Sequence, residues 1–359
     1  MQKFRILVIN PGSTSTKIAV FDNEEEVFKQ TLKHTAHELA MFDDLIEQFE
    51  FRKNLVEKAL EDNNIPLSSL DVIVGRGGLV RSVPSGVFTI NERMLRDLKD
   101  TSIWGRVHAS NLGAFIAKSI ADELHLPSFI ADPVTVDEME DIARISGVPE
   151  IERQSLFHAL NIRSIARKTA KEIGKKLHEC NLIAVHLGGG VSIAAIKAGK
   201  VIDVNNALLG MGPFSPQRAG ALPLSGVIDL CFSRKYTKEE IEKKFTKTSG
   251  FIGYLGTDNG LEIENQIELG NEQYKKIVEA MAYQVAKEIG ACATVLKGEV
   301  DAIFITGGLA YDRFLTRWIK DRVSFIAAIY LFPGEGEMEA LAEAGLRVMR
   351  GEEKPKEYK

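Results

Sequence analysis

A unit of three short strands that occurs twice, about half a chain apart, is the feature that most constrains the fold. Residues 4–34 alternate apolar strand segments with polar turns in the order strand, turn, strand, turn, strand. Residues 183–204 repeat this order, with glycines at both turns. Self-similarity of this kind indicates an internal duplication. Since helical periodicity follows each copy, the sequence predicts two mixed α/β domains.

The chain length also favours two domains, because 359 residues are long for one hydrophobic core. We place the boundary near residue 155, which gives domains over 1–155 and 156–339. The C-terminal helix, within about 340–359, is expected to pack on the first domain, and the tail after it is expected to be solvated. Apolar residues at helical spacing predict helices over 39–62, 111–124, 159–178, 272–296 and 337–349.

Composition excludes several classes of partner and compartment. The formal net charge of -5 gives no reason to expect nucleic acid or an anionic membrane as partner. The three cysteines, Cys180, Cys231 and Cys292, form no CxxC pair, which argues against a disulfide framework or a zinc site. With neither a signal peptide nor an apolar run of roughly 18 residues, we expect a cytoplasmic protein.

Two turns of the repeated unit are suited to binding a polyphosphate. In the first, over residues 10–17, Gly12 permits a tight turn, hydroxyl groups add hydrogen-bond donors and Lys17 adds a positive charge. In the second, three successive glycines at 188–190 are costly in backbone entropy unless another group approaches closely. A polar hairpin rich in Ser and Thr is common, so the first motif alone leaves both interpretations open.

A later apolar strand ends in Gly307 and Gly308, where a flat ring or a phosphate can lie against the backbone. A simple strand-to-helix turn is the alternative interpretation. The signatures of P-loop enzymes, protein kinases and α/β-hydrolases are absent. His34 and His37 lack the helical zinc spacing and are expected at the surface.

Taken together and in order, these motifs resemble the acetokinase family over nearly the whole chain. The matching segments are VINPGSTSTKIAVF, VGRGG, WGRVHASN, FIADPV, LFHALN, VHLGGGVSIAAI, MGPFSPQRAGALP and FITGGLAYDRF. The resemblance implies two duplicated ribonuclease H-like domains with a cleft between them. This actin-like ATPase fold is shared by acetate and sugar kinases, 70-kDa heat-shock proteins and actin.

The resemblance implies ATP-dependent phosphorylation of a small-molecule carboxylate, with Mg²⁺ as a second cofactor, giving an acyl phosphate and ADP. The stretch PFSPQRAGALP is most similar to the family members that act on butyrate. Butyrate or a related short or branched acid is therefore the expected acceptor, with acetate or propionate as alternatives. A homodimer or higher homo-oligomer is also implied.

The resemblance further assigns roles to single residues. The catalytic residues are expected to be Arg76, His108, Asp132, His158 and Arg218. The nucleotide is expected to contact Asn10, Ser13, Ser15, Lys17, His186, Gly188, Gly189, Gly190, Gly307 and Gly308. Asp132 is expected at Mg²⁺, helped by Glu337, whose neighbourhood departs from the acetate kinase pattern. A carboxylate is already ionised at neutral pH, so the two arginines would stabilise charge and no general base is needed.

The acyl pocket has one readable sequence clue. Acetate kinases carry larger apolar side chains where this chain has Gly77 and Gly78, so we interpret these glycines as room for a longer acid, with Phe157 as one wall. Each buried methylene contributes roughly 0.8 kcal/mol. Two methylenes would favour the longer acid about tenfold. A β-branched residue at position 78 is then expected to shift the preference toward acetate.

Two other functions remain open at this stage. A sugar or polyol kinase of the same superfamily could use Asp132 as a base, but the two arginines at the acceptor would be unexplained. A chaperone-like ATPase would be expected to carry a peptide-binding domain, and the sequence shows none.

Overall fold

The computed structural model describes residues 2–105 and 107–359 and divides the chain into two compact units. The first unit comprises the chain up to Val136 together with Gly336–Lys359. The second comprises Asp137–Glu335. Each unit contains one sheet and its own hydrophobic core.

Twelve strands lie in the described residues. They are β1 (Arg5–Pro11), β2 (Ser15–Asp22), β3 (Glu25–Lys33), β4 (Val72–Arg76), β5 (Val87–Thr89), β6 (Ser128–Ala131), β7 (Asn181–Leu187), β8 (Val191–Lys197), β9 (Lys200–Val204), β10 (Ala302–Gly307), β11 (Ile329–Pro333) and β12 (Lys356–Glu357).

Thirteen α-helices lie in the same residues. They are α1 (Ala36–Leu39), α2 (Gln48–Asp62), α3 (Glu92–Lys99), α4 (Leu112–Leu124), α5 (Asp141–Arg144), α6 (Ala159–Glu172), α7 (Leu224–Phe232), α8 (Lys238–Lys247), α9 (Gly250–Leu255), α10 (Gly260–Glu268), α11 (Glu272–Val295), α12 (Arg313–Val323) and α13 (Glu337–Met349). Short 3-10 turns span Leu67–Ser69, Ala109–Asn111, Leu177–Glu179 and Gly308–Tyr311. Among these described helices, none combines the length and apolar character that crossing a membrane requires.

Five strands of the first sheet repeat the topology of the second sheet, which confirms the predicted duplication. Their strand orders are β12-β5-β6-β4-β1-β2-β3 and β11-β10-β7-β8-β9. In the first sheet β1 pairs antiparallel with β2 and parallel with β4, which runs parallel to β6. In the second sheet β7 has the same relation to β8, β10 and β11. The carboxyl ends of the parallel strands therefore meet at one edge of each sheet.

The central strands are buried on both faces. Residues Ile6–Ile9 of β1 and Leu182–Val185 of β7 have no exposed surface. Uninterrupted burial of this kind is typical of parallel strands that helices cover on both sides. Helix α13 belongs to the first unit, where a Cβ on Gly345 would lie 2.7 Å from a methyl carbon of Val74.

The division of the chain differs from the predicted boundary near residue 155. Residues 137–155 belong to the second unit because they bond to β9. The N–H of Glu140 donates to the carbonyl of Ile202 over 3.0 Å, and Arg153 forms an ion pair with Asp203 over 2.7 Å. The tail also differs, since Tyr358 is buried and its hydroxyl lies 2.8 Å from Oδ2 of Asp97.

Helix α2 begins at Gln48 rather than at the predicted residue 39. The carboxylate of Asp44 accepts the N–H groups of Ile46 and Glu47 over 2.6 and 3.1 Å, which makes a local turn where the helix was expected to continue. Helix α6 ends at Glu172, before the predicted residue 178, and Gly174 follows with φ +70°.

His34 was predicted at the surface, but it is only 5% exposed. Its Nε2 lies 2.9 Å from Oγ1 of Thr16, and its ring meets the edge of Phe51. Burial and the neighbouring Arg52 charge lower the pKa of His34 to about 4. The neutral imidazole is therefore the form that the folded chain favours.

We predict that His34 makes the protein less stable as the pH falls below 6.5. The unfolded chain takes up a proton near the ordinary histidine pKa of about 6.5, whereas the folded chain does so only near 4. The free energy of unfolding should therefore drop by about 1–2 kcal/mol between pH 7 and pH 5 on account of this residue. Urea unfolding at both pH values should show a smaller drop in His34→Leu. The exposed neighbour variant His37→Leu should keep the wild-type drop, and equal drops in all three proteins would contradict the prediction.

Candidate functional site

The first unit gathers three of the predicted site residues around one carboxylate. Asn10 lies near the end of β1, Arg76 ends β4 and Glu337 begins α13. Oε2 of Glu337 accepts a hydrogen bond from the Asn10 side-chain amide over 2.8 Å and forms an ion pair with the Arg76 guanidinium. Nη1 of Arg76 also lies 3.4 Å from Oδ1 of Asn10. Glu337 thus holds both side chains at the carboxyl edge of the sheet.

The Arg76 backbone is fixed by two glycines that the sequence analysis did not single out. A Cβ on Gly75 would lie 2.2 Å from the carbonyl oxygen of Gly113 in α4. A Cβ on Gly113 would lie 2.6 Å from the carbonyl oxygen of Arg76. The backbones of α4 and β4 are therefore in direct contact, which only glycine permits. A glycine inside an apolar strand, next to the arginine, was the available signal.

Asp132 follows β6 at the same edge and is buried. Its φ of +38° is unusual for a residue other than glycine, and such strain is concentrated at functional sites. Its Oδ1 accepts the N–H of Gly86 over 2.7 Å, and its own N–H donates to the Gly86 carbonyl over 3.0 Å. Gly86 therefore fixes both the backbone and the carboxylate of Asp132.

His108 lies at the start of the 3-10 turn that leads into α4. Its Nδ1 accepts the N–H of Ser110 over 3.2 Å and lies 2.8 Å from the Ser110 hydroxyl. Because Nδ1 is an acceptor, the neutral ring carries its proton on Nε2. These contacts join residues that are two positions apart in the chain. They explain the orientation of the His108 ring, and they do not involve Arg76.

The interpretation of Gly77 and Gly78 as room for an acyl chain is wrong. A Cβ on Gly77 would lie 2.8 Å from Cβ of Pro133, and a Cβ on Gly78 would lie 2.3 Å from Oδ1 of Asn111. Both missing side chains therefore point at protein atoms. Asn111 is buried, accepts the N–H of Leu79 over 2.9 Å and donates to the carbonyl of Leu98 over 2.8 Å. The glycines let the segment after Arg76 pack against these residues.

In the second unit, two predicted site histidines stack on each other. The rings of His158 and His186 have centroids 3.9 Å apart and planes at 14°. Nδ1 of His158 lies 2.8 Å from the Ser192 hydroxyl, and Nδ1 of His186 lies 2.8 Å from Oδ1 of Asn161.

Sequence reasoning missed Ser192 and Asn161, although both stand inside matched segments. Asn161 lies three residues after His158 at the start of α6, and its amide also contacts the Thr306 hydroxyl over 3.4 Å. Phe157, the predicted pocket wall, is buried and directly precedes His158.

Arg218 contacts the second glycine turn. A Cβ on Gly190 would lie 2.1 Å from Nη1 of Arg218, and the same nitrogen donates to the carbonyl of Ala207. The Ser215 hydroxyl donates to the carbonyl of Gly189 over 2.6 Å and accepts the N–H of Arg218 over 3.1 Å. The close approach that the glycines suggested is thus made, at Gly190, by an arginine of the same unit.

Three other glycines of the two motifs, Gly188, Gly189 and Gly308, line one groove of the second unit, with a volume of about 490 Å³. Gly307 has φ +91° and lies against Leu187, where a Cβ would come within 2.2 Å of the carbonyl oxygen. Gly308 faces open space. The groove is lined by Gly188, Gly189, Pro216, Gln217, Asp258, Asn259, Gly260, Leu261, Glu264, Gly308, Leu309, Tyr311, Asp312 and Glu335. This mixture of bare backbone, apolar and polar groups suits a flat polar ring with hydroxyl groups.

The residues predicted to bind the metal do not form a preformed metal site within the described part of the chain. No group of three or more His, Cys, Asp or Glu side chains within residues 2–105 and 107–359 is placed to hold an ion. Mg²⁺ is usually bound by one or two carboxylates together with waters and phosphate oxygens. The carboxylate of Asp132 fits that pattern, because a backbone N–H orients it at the strand edge. Glu337 contacts both Arg76 and Asn10, and these contacts orient the two side chains.

Comparison with solved structures defines the fold. The crystal structure of acetate kinase from Porphyromonas gingivalis matches with a TM-score of 0.80, covering 96% of this chain and 100% of that chain. The identity is 18%, so the likeness concerns the fold, which is the actin-like ATPase fold of acetate and sugar kinases. The predicted fold class is confirmed.

Comparison with curated proteins then gives the family. Butyrate kinase 1 of Clostridium acetobutylicum is 51% identical, over 99% of this chain and 100% of its own length. Butyrate kinase 2 of the same organism is 52% identical at the same coverage. The model of the acetokinase family matches residues 150–318. The chain belongs to the acetokinase family, whose members are phosphotransferases with a carboxyl group as acceptor, and this confirms the resemblance seen in the motifs.

We predict that Gly78→Ala destabilises the folded chain, because the new Cβ overlaps the Asn111 side chain. Overpacking of this kind lowers the free energy of unfolding by about 1–3 kcal/mol. Gly147→Ala is the matched control, since nothing lies within 4 Å of its Cβ position, and it should stay within about 0.5 kcal/mol of wild type. Chemical denaturation of the three proteins measures both effects. Equal stability of the Gly78 variant and wild type would contradict this account of the glycine.

Proposed function

We propose that the chain is a butyrate kinase, which reversibly transfers the γ-phosphoryl group of ATP to the carboxylate of butyrate or a related short or branched acid. The products are the acyl phosphate and ADP. The observation that carries the proposal is the full-length identity of about one half with two butyrate kinases. Acetate and propionate are the alternative acceptors, and the cytoplasm is the expected compartment.

The main barrier to this reaction is electrostatic, because two anions must approach each other. The acceptor is already ionised and needs no base, so catalysis depends on placing positive charge and hydrogen-bond donors around the transferred group. Arg76 and Arg218 are assigned to this role. Arg76 is oriented by Glu337, and Arg218 by the carbonyl of Ala207. Both guanidiniums are thus held in place before substrate binds, which lowers the reorganisation that the reaction requires.

His158 is assigned as a donor to the transferred phosphoryl group. The Ser192 hydroxyl oxygen lies 3.3 Å from the backbone N of His158, which donates to it. The same hydroxyl lies 2.8 Å from Nδ1 of His158. We assign the ring proton to Nε2, the tautomer in which the hydroxyl donates to Nδ1 and Nε2 can donate to an oxyanion. His108 has the same tautomer through Ser110 and is assigned a supporting role.

The nucleotide is assigned to three glycine-containing segments. Gly188, Gly189 and Gly308 line the groove proposed for the adenosine, where bare backbone permits close approach. Asn10, Ser13, Ser15 and Lys17 of the first hairpin are assigned to the terminal phosphates. Asp132 would hold Mg²⁺ or its waters, and the ion would neutralise part of the phosphate charge; Glu337 is proposed to help by orienting Arg76.

The alkyl chain of the acid needs a site other than Gly77 and Gly78. A small cavity of about 40 Å³ lies beside Arg218, and Val191, Leu208 and Phe245 form part of its lining. We assign the segment Asn205–Pro216, which contributes much of this lining, and Phe157 to the specificity wall. On this assignment, substitutions at position 78 leave the ratio of kcat/KM for butyrate over acetate unchanged.

We expect Arg76→Ala and Arg218→Ala to lower kcat at least about 1000-fold while the fold stays intact, because charge in the transition state loses its partner. Trapping of acyl phosphate with hydroxylamine, across acids from acetate to hexanoate and isobutyrate, measures both activity and preference. Arg317→Ala, an exposed arginine on α12, is the matched control and should retain full activity.

Three experimental outcomes would speak against the proposal. Near-normal activity in both arginine variants would move the site elsewhere. ATP-dependent phosphorylation of glycerol without acyl phosphate would favour a polyol kinase. ATP hydrolysis that no acceptor accelerates would favour a chaperone-like ATPase.

We also propose that the chain forms a homodimer through helix α7. None of its nine residues is buried, and Leu224, Ile228 and Phe232 are each more than half exposed. An apolar helix of this kind is normally covered. A second copy suits it, because a two-fold axis brings identical surfaces together. Lys238 and Glu242 at the rim of the adjoining groove could then pair with their opposites.

We predict that Ile228→Glu disrupts the dimer by burying a charge in its apolar interface. Sedimentation velocity at micromolar concentration should show a dimer for wild type and a monomer for the variant. Phe325→Glu replaces an exposed apolar residue outside α7 and should remain dimeric. A monomeric wild type, or a variant that remains dimeric, would refute the assignment of α7.

A further inference from the structure

A buried arginine lies behind the first hairpin. Arg52 of α2 has no exposed surface. Its guanidinium donates to the carbonyls of Gly12, Ser13 and Ser15 over 2.8, 3.2 and 3.3 Å. Nε and Nη2 also donate to Oε1 of Gln48, one turn earlier on α2, over 3.2 and 2.8 Å. One side chain thus connects the helix to three backbone carbonyls of the hairpin turn.

The acceptors of Arg52 are all neutral oxygens. A fully buried arginine is normally paired with a carboxylate. Within the described part of the chain, Arg52 forms no ion pair with a carboxylate. Burial lowers the pKa of Arg52 to about 10, so the group still carries its charge at neutral pH. The hairpin therefore has an uncompensated positive charge directly behind it.

The carbonyl contacts also determine where the hairpin N–H groups point. In a trans peptide the C=O and the following N–H point in opposite directions. The carbonyls of Gly12 and Ser13 face Arg52, so the N–H groups of Ser13 and Thr14 face away from it. Both residues are exposed, and neither N–H has an acceptor among the described residues. Two outward N–H groups with a cation behind them favour an anion at the tip.

We propose that Arg52 is a positioning residue, which holds the hairpin in the conformation that binds the terminal phosphates and adds to their attraction without touching them. The proposal rests on the assignment of this hairpin to the nucleotide phosphates. Arginine is required because its planar fork reaches several carbonyls at once, whereas the lysine ammonium is a compact point charge. Gln48 supports this role by fixing the fork from the helix side.

The test compares Arg52→Met and Arg52→Lys with Lys53→Met. Lys53 is the next residue of the same helix, is also buried, and pairs with Glu123 and Glu57 rather than with the hairpin. Calorimetry with ATP, ADP and adenosine, KM values for ATP and for butyrate, and thermal unfolding are measured for each protein.

Arg52→Met should weaken ATP binding by about 10-fold or more, since oriented donors and a charge are lost. Binding of adenosine, which has no phosphate, and the KM for butyrate should change less than about twofold. Arg52→Lys, which keeps the charge but not the fork, should be intermediate. Lys53→Met should lower the melting temperature and leave ATP affinity unchanged. A role limited to stability would not separate ATP from adenosine in this way.

If Arg52→Met does not fold, Arg52→Lys and Gln48→Leu are measured instead. We expect the same loss of ATP affinity, without loss of adenosine affinity. Folded variants that bind ATP as wild type does would overturn the inference. A loss of adenosine binding equal to that of ATP would also overturn it. A wild-type chain that binds ATP but forms no acyl phosphate would refute the proposed function and leave the Arg52 comparison decisive. A wild-type chain that binds no ATP would overturn both.

Discussion

Parallel pairing at the centre of each sheet is the constraint on which the candidate site depends. Because β1, β4 and β6 run in one direction, Asn10, Arg76 and Asp132 come to the same edge although they are far apart in sequence. The pairing of β7 with β10 does the same for His186 and Gly307. A sheet with antiparallel central strands would scatter these groups over two edges. The arrangement of the candidate site is thus a consequence of strand direction before any side-chain contact forms.

Much of this arrangement could be predicted from the sequence, because strand periodicity and glycine turns are local signals. The repeated unit predicted the duplication, and Asn10, Arg76 and Asp132, each at the end of an apolar run, lie at one edge of the first sheet. The bounds of α2 could not be predicted, because a single carboxylate of Asp44 ends the helical pattern through its own hydrogen bonds. The burial of His34 could not be predicted either, since its partners come from β2 and α2.

The glycines show most clearly what a sequence pattern leaves open. Glycine indicates that another group lies close, but not which group. At Gly190 that group is the Arg218 side chain, at Gly75 it is the backbone of α4, and at Gly78 it is Asn111. Gly308, by contrast, leaves open space, as a ligand site requires. An interpretation that assigns every glycine to a ligand therefore overestimates the site, and the acyl pocket inferred from Gly77 and Gly78 failed for that reason.

The arginines illustrate how a site for anions keeps its positive charge available. An arginine paired with a carboxylate is well oriented, but its field is largely cancelled, as for Arg76 beside Glu337. An arginine held by carbonyl oxygens is oriented equally well and retains its field, as for Arg52 behind the hairpin. The first arrangement holds a guanidinium in a fixed orientation before substrate binds, and the second provides a fixed source of potential. Phosphoryl transfer between two anions benefits from both, because attraction must precede binding and a preorganised site lowers the reorganisation that follows.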